Sequence, residues 1–252
     1  MRVVLNIILV AFSFGLFAQN QSLFEEGNTL YNKGQYAGAI EKYETIVADG
    51  QHSAEVYFNL ANAHYKLNNI APSIYFYEKA LQLKPNDTEI KNNRAFAQNM
   101  TIDAFGETPK VGFSRLFNKV IKYFNYDTWA FITIGLMMLF VGLYLLYYFS
   151  YSSNRKRLAF VFSLLSLVLA LVTLSLAFQR YGLDKKDNPA IVFAQESKLK
   201  SGPNTSSDEV LRIHEGTKVQ VLEDFNEWRK VELTNGTVGW VPLQDIKLLK
   251  DI

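Results

Sequence analysis

Apolar and small residues from Leu23 to Val47 return at three- and four-residue steps, with a break at Lys33-Gly34-Gln35. That spacing predicts two antiparallel helices joined by a tight turn. The pattern resumes from about Ala54 to Leu83 and stops at Lys84-Pro85-Asn86-Asp87, where a proline closes a helix without removing an interior hydrogen bond. Gly27, Tyr36, Ala39 and Tyr43 recur as Ala61, Ile70, Ser73 and Tyr77, an offset of 34 residues at every pair. The small residues Gly27, Ala39 and Ala61 let helix axes approach closely, and Tyr43, Ile46, Tyr77 and Ala80 fill the seam. Asp87-Thr88 can cap a further helix, from Glu89 to about Thr101.

Beyond this region the periodicity changes twice. Phe113, Leu116, Phe117, Val120, Ile121 and Phe124 mark one face of a helix whose other side carries Arg115, Lys119 and Lys122. Such a segment next to an apolar span is expected in the lipid headgroup layer, the alternative being a helix that completes the repeat region. Residues 128–149 and 158–178 contain no charged side chain, and each is long enough to cross a bilayer core of about 30 Å. Trp129, Tyr144, Tyr147, Tyr148, Tyr151 and Tyr181 cluster toward the span ends, where amphipathic rings belong. From Ala190 the texture becomes short alternating runs between turn signals, among them Ser201-Gly202-Pro203-Asn204 and Asn235-Gly236. About five strands in so short a stretch predict a small barrel.

Charge refines the membrane reading. The 26 basic and 24 acidic residues nearly cancel, leaving a formal charge of +2 and no global field that would argue for nucleic acid. Arg155-Lys156-Arg157 occupy the short loop between the spans and assign it to the cytoplasm. Lys110, Arg115, Lys119 and Lys122 flank the first span on the other side and pull the opposite way, but the amphipathic helix already accounts for them. Met1-Arg2, an apolar run from Val3 to Phe17 and the small Ala18 read as a secretory signal, residues 1–18, with an uncleaved anchor as the alternative. Both soluble parts are then expected on the periplasmic side of a bacterial inner membrane. On the second span Ser163, Ser166, Ala170, Thr173 and Ala177 form one small-residue stripe, and Gly135 and Gly142 share a face of the first; these faces are expected to pack in the hairpin or against another subunit. No ionisable residue lies at mid-membrane, which argues against an ion pathway.

The residues that could do chemistry are few. The chain has no cysteine, which excludes disulfides, thiolate metal sites and cysteine nucleophiles. His52, His64 and His214 are scattered without metal-ligand spacing and are read as surface or packing residues. No phosphate-binding glycine loop, nucleophile elbow or zinc motif is present, so no catalytic residue, metal or cofactor is expected.

The 34-residue pattern resembles the tetratricopeptide repeat family over roughly residues 20–101, as repeats at about 20–53 and 54–87 and a capping helix at 89–101. Carrying that family's helix faces onto this chain implies a groove in which Asn28, Asn59, Asn62 and Asn93, with Tyr31 and Tyr65 alongside, bind a partner peptide. An asparagine amide can both donate to and accept from an extended backbone, and the alternative is that these are solvated surface residues. The family's carboxylate clamp also needs basic residues where this chain has Phe24, Glu89 and Asn93, so a chaperone-tail clamp is not implied. Residues 190–250 resemble the bacterial SH3-like family: Ser201-Gly202-Pro203 matches its first turn, Trp228-Arg229-Lys230-Val231 a middle strand and Gly239-Trp240-Val241 the closing strand. Leu199-Lys200 departs from its usual valine-arginine, which puts the family's ligand site in doubt; Trp228 and Trp240 are expected to pack in the core and at the barrel rim. The expected fold is thus a multidomain membrane protein: an α-helical repeat solenoid, an interfacial helix at 112–124, a transmembrane hairpin and an SH3-like barrel. In this order the modules resemble the BatE family of the Bacteroides aerotolerance operon. That resemblance implies a non-enzymatic inner-membrane scaffold working with von Willebrand A-domain proteins and a MoxR-type ATPase, with peptidoglycan contact through the SH3-like module as the alternative function.

Overall fold

The computed structural model describes residues 20–105 and 112–250. The expected signal segment, residues 1–18, lies outside them. Contacts divide the chain into two compact units, one of residues up to Glu107 together with those from Asn188 onward, the other Thr108–Asp187.

The first unit opens with helices α1 (residues 20–32), α2 (Tyr36–Ala48), α3 (Ala54–Lys66), α4 (Ile70–Leu83) and α5 (Thr88–Gln98). The turns between the paired helices repeat at the same 34-residue offset: Gly34 ends the first with φ of 76° and Asn68 the second with φ of 63°. Both positions need the left-handed region that glycine and asparagine tolerate best. Ser53 accepts a hydrogen bond from the Val56 amide at the start of α3, and Asp87 accepts from the amides of Glu89 and Ile90 at the start of α5. Ala39, Tyr43, Ile46, Val56 and Leu60 fill one core between α2 and α3. Ala61, Ile74, Tyr77, Ala80, Ile90 and Ala97 fill the next.

The remainder of this unit is an all-antiparallel sheet of β1 (Pro189–Val192), β2 (Glu196–Lys200), β3 (Glu209–His214), β4 (Lys218–Phe225), β5 (Trp228–Leu233), β6 (Val238–Pro242) and β7 (Ile246–Leu248), in the order β3-β2-β6-β5-β4-β1-β7. Val192, Leu199, Ile213, Val219, Val231 and Val241 form its core. Because side chains alternate along a strand, Ala190 and Val192 enter this core while Ile191 between them faces the other way. Ile191, together with Leu249, is buried in the same core as Ile74 and Tyr77 of the helices. Two repeats and one extra helix bury little apolar surface alone, and here the β module covers what further repeats would otherwise cover.

The second unit contains α6 (Phe113–Ile121), α7 (Tyr126–Phe149) and α8 (Ser153–Lys186). Asn125 caps α7 by accepting from the Thr128 amide at 2.8 Å. Both α7 and α8 are long and apolar enough to cross a membrane. α6 is tied to their neighbourhood at its C-terminal end, where Ile121 joins Trp129, Leu176 and Ala177 in a small core.

Candidate functional site

The predicted groove asparagines meet in two equivalent triads on the side where α1, α3 and α5 adjoin. The Tyr43 hydroxyl donates to Asn28 Oδ1 at 2.7 Å, and Asn59 Nδ2 donates to the same oxygen at 2.8 Å. One repeat later, the Tyr77 hydroxyl donates to Asn62 Oδ1 at 2.5 Å and Asn93 Nδ2 donates to it at 3.2 Å. Burial pushes the Tyr43 hydroxyl up to about 12 and Tyr77 still further, so both are proton donors at any physiological pH. Each triad therefore stitches three helices and satisfies a tyrosine whose ring lies in the core. All four amides are half-buried and hydrogen-bonded. Since each accepting oxygen already takes two donors, the capacity left for a ligand among the described residues lies in the Nδ2 groups of Asn28 and Asn62 and the Oδ1 atoms of Asn59 and Asn93. Tyr31 and Tyr65 are not members of these bonds: Tyr31 packs edge-on against Tyr36 with centroids 5.2 Å apart, and Tyr65 lies half-buried against the helical core.

A second cluster was not anticipated from the sequence. Asp103, just past α5, accepts from the His214 amide at 2.6 Å, the Thr217 hydroxyl at 2.6 Å and His214 Nδ1 at 2.8 Å. Burial alone would raise its pKa, but the hydrogen bonds from Thr217 and His214 outweigh it and hold the carboxyl below its ordinary range. Glu78 of α4, almost fully buried, sits between Arg94 of α5 at 3.0 Å and Lys218 of β4 at 2.8 Å. Lys247 of β7 stands 4.6 Å over the ring of Tyr75, which also meets Phe193 edge-on. His214, read as a surface or packing residue, is thus part of a clasp between the helices and the β module. In sequence Asp103 and His214 lie 111 positions apart and Glu78 and Lys218 lie 140 apart, and nothing in their spacing pairs them.

On the outer side of the β module Phe225 and Trp240 pack edge-on with centroids 6.2 Å apart, and Lys230 stands 5.8 Å over Trp240. Trp228 and Trp240 are both half-buried and outside the core of Val231 and Val241, so of the expectation that they pack in the core and at the barrel rim the core part is corrected: strand alternation turns Trp240 away from the face that Val241 occupies.

Within the second unit, Ser163, Ser166, Ala170, Thr173 and Ala177 are buried. Ser166 Oγ donates to the Leu136 carbonyl at 2.7 Å, and the hydroxyls of Thr133 and Thr173 bond at 2.8 Å. Gly135 and Gly142 do not join this seam. Both are exposed, and a Cβ added to either would meet nothing within 4 Å, because α7 turns its Thr133 face toward α8 instead. Among the described residues no group of three or more histidines or acids is placed to hold a metal ion.

The tetratricopeptide repeat family matches residues 24–88 and the bacterial SH3 domain family matches residues 197–247. No curated protein matches the chain. Both matched families are typically interaction modules without catalytic activity, and they support protein partners or peptidoglycan contact.

Proposed function

We propose that the protein is a non-enzymatic scaffold of a bacterial inner membrane, whose repeats and SH3-like module bind protein partners in the periplasm. The observation that carries this is the packing of the SH3-like module on the repeats. Residues before and after α7 and α8 share one core, so if these helices span a bilayer both flanks lie on the same side, as an even number of spans requires. The basic loop at Arg155-Lys156-Arg157 and the apolar N-terminal segment support the periplasm as that side. The partner peptide is taken by the face formed by α1, α3 and α5, where Asn28, Asn59, Asn62 and Asn93 keep unused donors and acceptors and Tyr31 and Tyr65 supply apolar flanks. The order of modules supports a place in a Bat-type assembly for aerotolerance or envelope stress, with von Willebrand A-domain proteins and a MoxR-type ATPase. Crosslinking in native membranes followed by mass spectrometry tests the reading: von Willebrand A-domain proteins should be recovered with the wild type, and their absence would count against the assembly. Alkaline phosphatase should be active when fused after Phe105 or Ile252 and inactive at Asn154; activity at Asn154 alone would overturn the topology.

A second reading, a cell-wall sensor, is favoured by the half-exposed Phe225, Trp240 and Lys230 on the SH3-like module. Aromatic faces with a cation nearby suit a peptide bearing carboxylates. Pull-down of the full chain by purified peptidoglycan, lost in Trp240→Ala, would support it.

A further inference from the structure

Helix α6 buries one edge of its apolar stripe at Ile121. Ile121 turns into the core with Trp129, Leu176 and Ala177, Phe124 packs beside it, and Trp129 Nε1 donates to the Ile121 carbonyl at 3.2 Å. Three others of the stripe face outward: Leu116 is 69% exposed, Val120 46% and Phe117 39%. On a helix these three lie within about one turn on a single face, and leaving them in water is unfavourable by the same apolar-transfer argument that buries Ile121. Lys119 and Lys122 are exposed on the other side, and no acidic residue occurs from Gly112 to Tyr126. Asp127 follows in the first turn of α7, and Asp184 of α8 is paired with Arg180 at 3.0 Å.

The occupant of this face follows from what it adjoins. The α6 stripe is continuous, through Ile121 and Trp129, with the apolar exteriors of α7 and α8, where Phe131, Ile134, Phe178 and other large side chains are exposed. Rings gather at the same end of the hairpin: Tyr126 packs edge-on against Tyr181, and Tyr123 is exposed. We propose that α6 lies in the surface of the bilayer crossed by α7 and α8, with Leu116, Phe117 and Val120 among the acyl chains and Lys119 and Lys122 among anionic phospholipid headgroups. The Trp129 hydrogen bond and the Ile121 contact pin the helix at the depth of the headgroup boundary. This rests on α7 and α8 spanning a membrane.

The test uses the absence of native cysteine. The full chain, with a nitroxide at Leu116→Cys, Val120→Cys, Lys122→Cys or Leu139→Cys, is reconstituted into phosphatidylcholine vesicles with or without phosphatidylglycerol. Collision with oxygen reports acyl chains, and collision with a water-soluble nickel chelate reports solvent. Labels at positions 116 and 120 should favour oxygen and the label at 122 the chelate. Phosphatidylglycerol should lower chelate access at position 120 several-fold, and Lys119→Glu with Lys122→Glu should abolish that change. Equal chelate access at 116, 120 and 122, with the Leu139 label still in lipid, would overturn the placement of α6 and leave the spans standing. Exclusion of both reagents at 116 and 120 would mean that protein covers the face, and would overturn it too. No effect of phosphatidylglycerol would overturn the anionic partner. Chelate access at position 139 would overturn both the spans and the inference.

Discussion

Two tyrosines explain why this chain places asparagine where it does. Tyr43 and Tyr77 carry rings into fully packed seams, and a hydroxyl there without a partner would cost about 1–3 kcal/mol. Asn28 and Asn62 supply the acceptor. Asn62→Ala should therefore lower the opening free energy of the α3–α5 region by about that amount, measured by hydrogen exchange on the full chain, and adding Tyr77→Phe should recover much of it. Recovery is expected because the double variant leaves no buried hydroxyl unpaired. His64 makes a pH-dependent contribution of the opposite chemical kind. Its ring is buried, stacks on Phe76 with centroids 5.6 Å apart and meets Asn69 Nδ2 at 3.2 Å, and burial lowers its pKa from 6.5 to about 4. The folded state thus binds fewer protons than the unfolded one between these values. The stability it protects is full above about pH 6.5 and falls as pH drops to about 4, by on the order of 3 kcal/mol. His64→Phe, which keeps the stack without a titrating group, should remove the slope in that window from hydrogen exchange of α3 and α4. The 34-residue recurrence of these asparagines was legible in the sequence. Their bonding was not, since repetition identifies equivalent positions without telling a groove lining from a structural tie.

At the scale of elements, legibility followed the contrast between neighbouring residues. Repeat helices and strands alternate apolar with polar positions, so the inward face of each could be read. Helix α7 has almost no such contrast: its side chains are apolar nearly all round, and periodicity cannot say which side meets α8. Small size was the remaining cue, and it pointed to Gly135 and Gly142, whereas the seam uses Thr133 and the Leu136 carbonyl. On α8 the small residues do mark the buried side. Ser166 and Ala170 are 3% and 1% exposed, against about half for Val168 and Val172. Ser166→Leu with Ala170→Leu should force the helices apart while leaving the span hydrophobic, so insertion persists and the detergent-extracted protein loses heat stability or changes its size on a native gel. Val168→Leu with Val172→Leu should leave both properties unchanged. Equal behaviour of the two pairs would show that close approach at this seam does not hold the hairpin.

For the whole molecule, the consequential feature is that the SH3-like module completes the core of the repeats. Ile191 and Leu249 look like ordinary strand residues, because an apolar pattern announces burial without naming what lies against it. Gly216 shows how close the approach is: its φ is +84°, and a Cβ there would stand 2.7 Å from Thr101 Cγ2 and 2.9 Å from Ile74 Cδ1. Polar contacts then set the docking. Asp103 accepts three hydrogen bonds from the module, so Asp103→Ala strands the His214 amide and the Thr217 hydroxyl in a buried place, at a cost of about 2–5 kcal/mol. Asp103→Asn keeps an acceptor and should cost less. Because its pKa is held below 3.8 in the folded state, the carboxylate's contribution is present at all pH values above that and is lost as pH falls through the lowered value. Hydrogen exchange of Asp103→Ala at neutral pH should show α5 and β1 losing protection together, while the β5–β6 pairing, which lies away from the clasp and has its own core, stays protected. That outcome separates undocking from unfolding. If β5 and β6 lost protection equally, the module would depend on the repeats for its own fold; if neither region changed, the apolar contact of Ile191 and Leu249 would hold the two parts without the clasp.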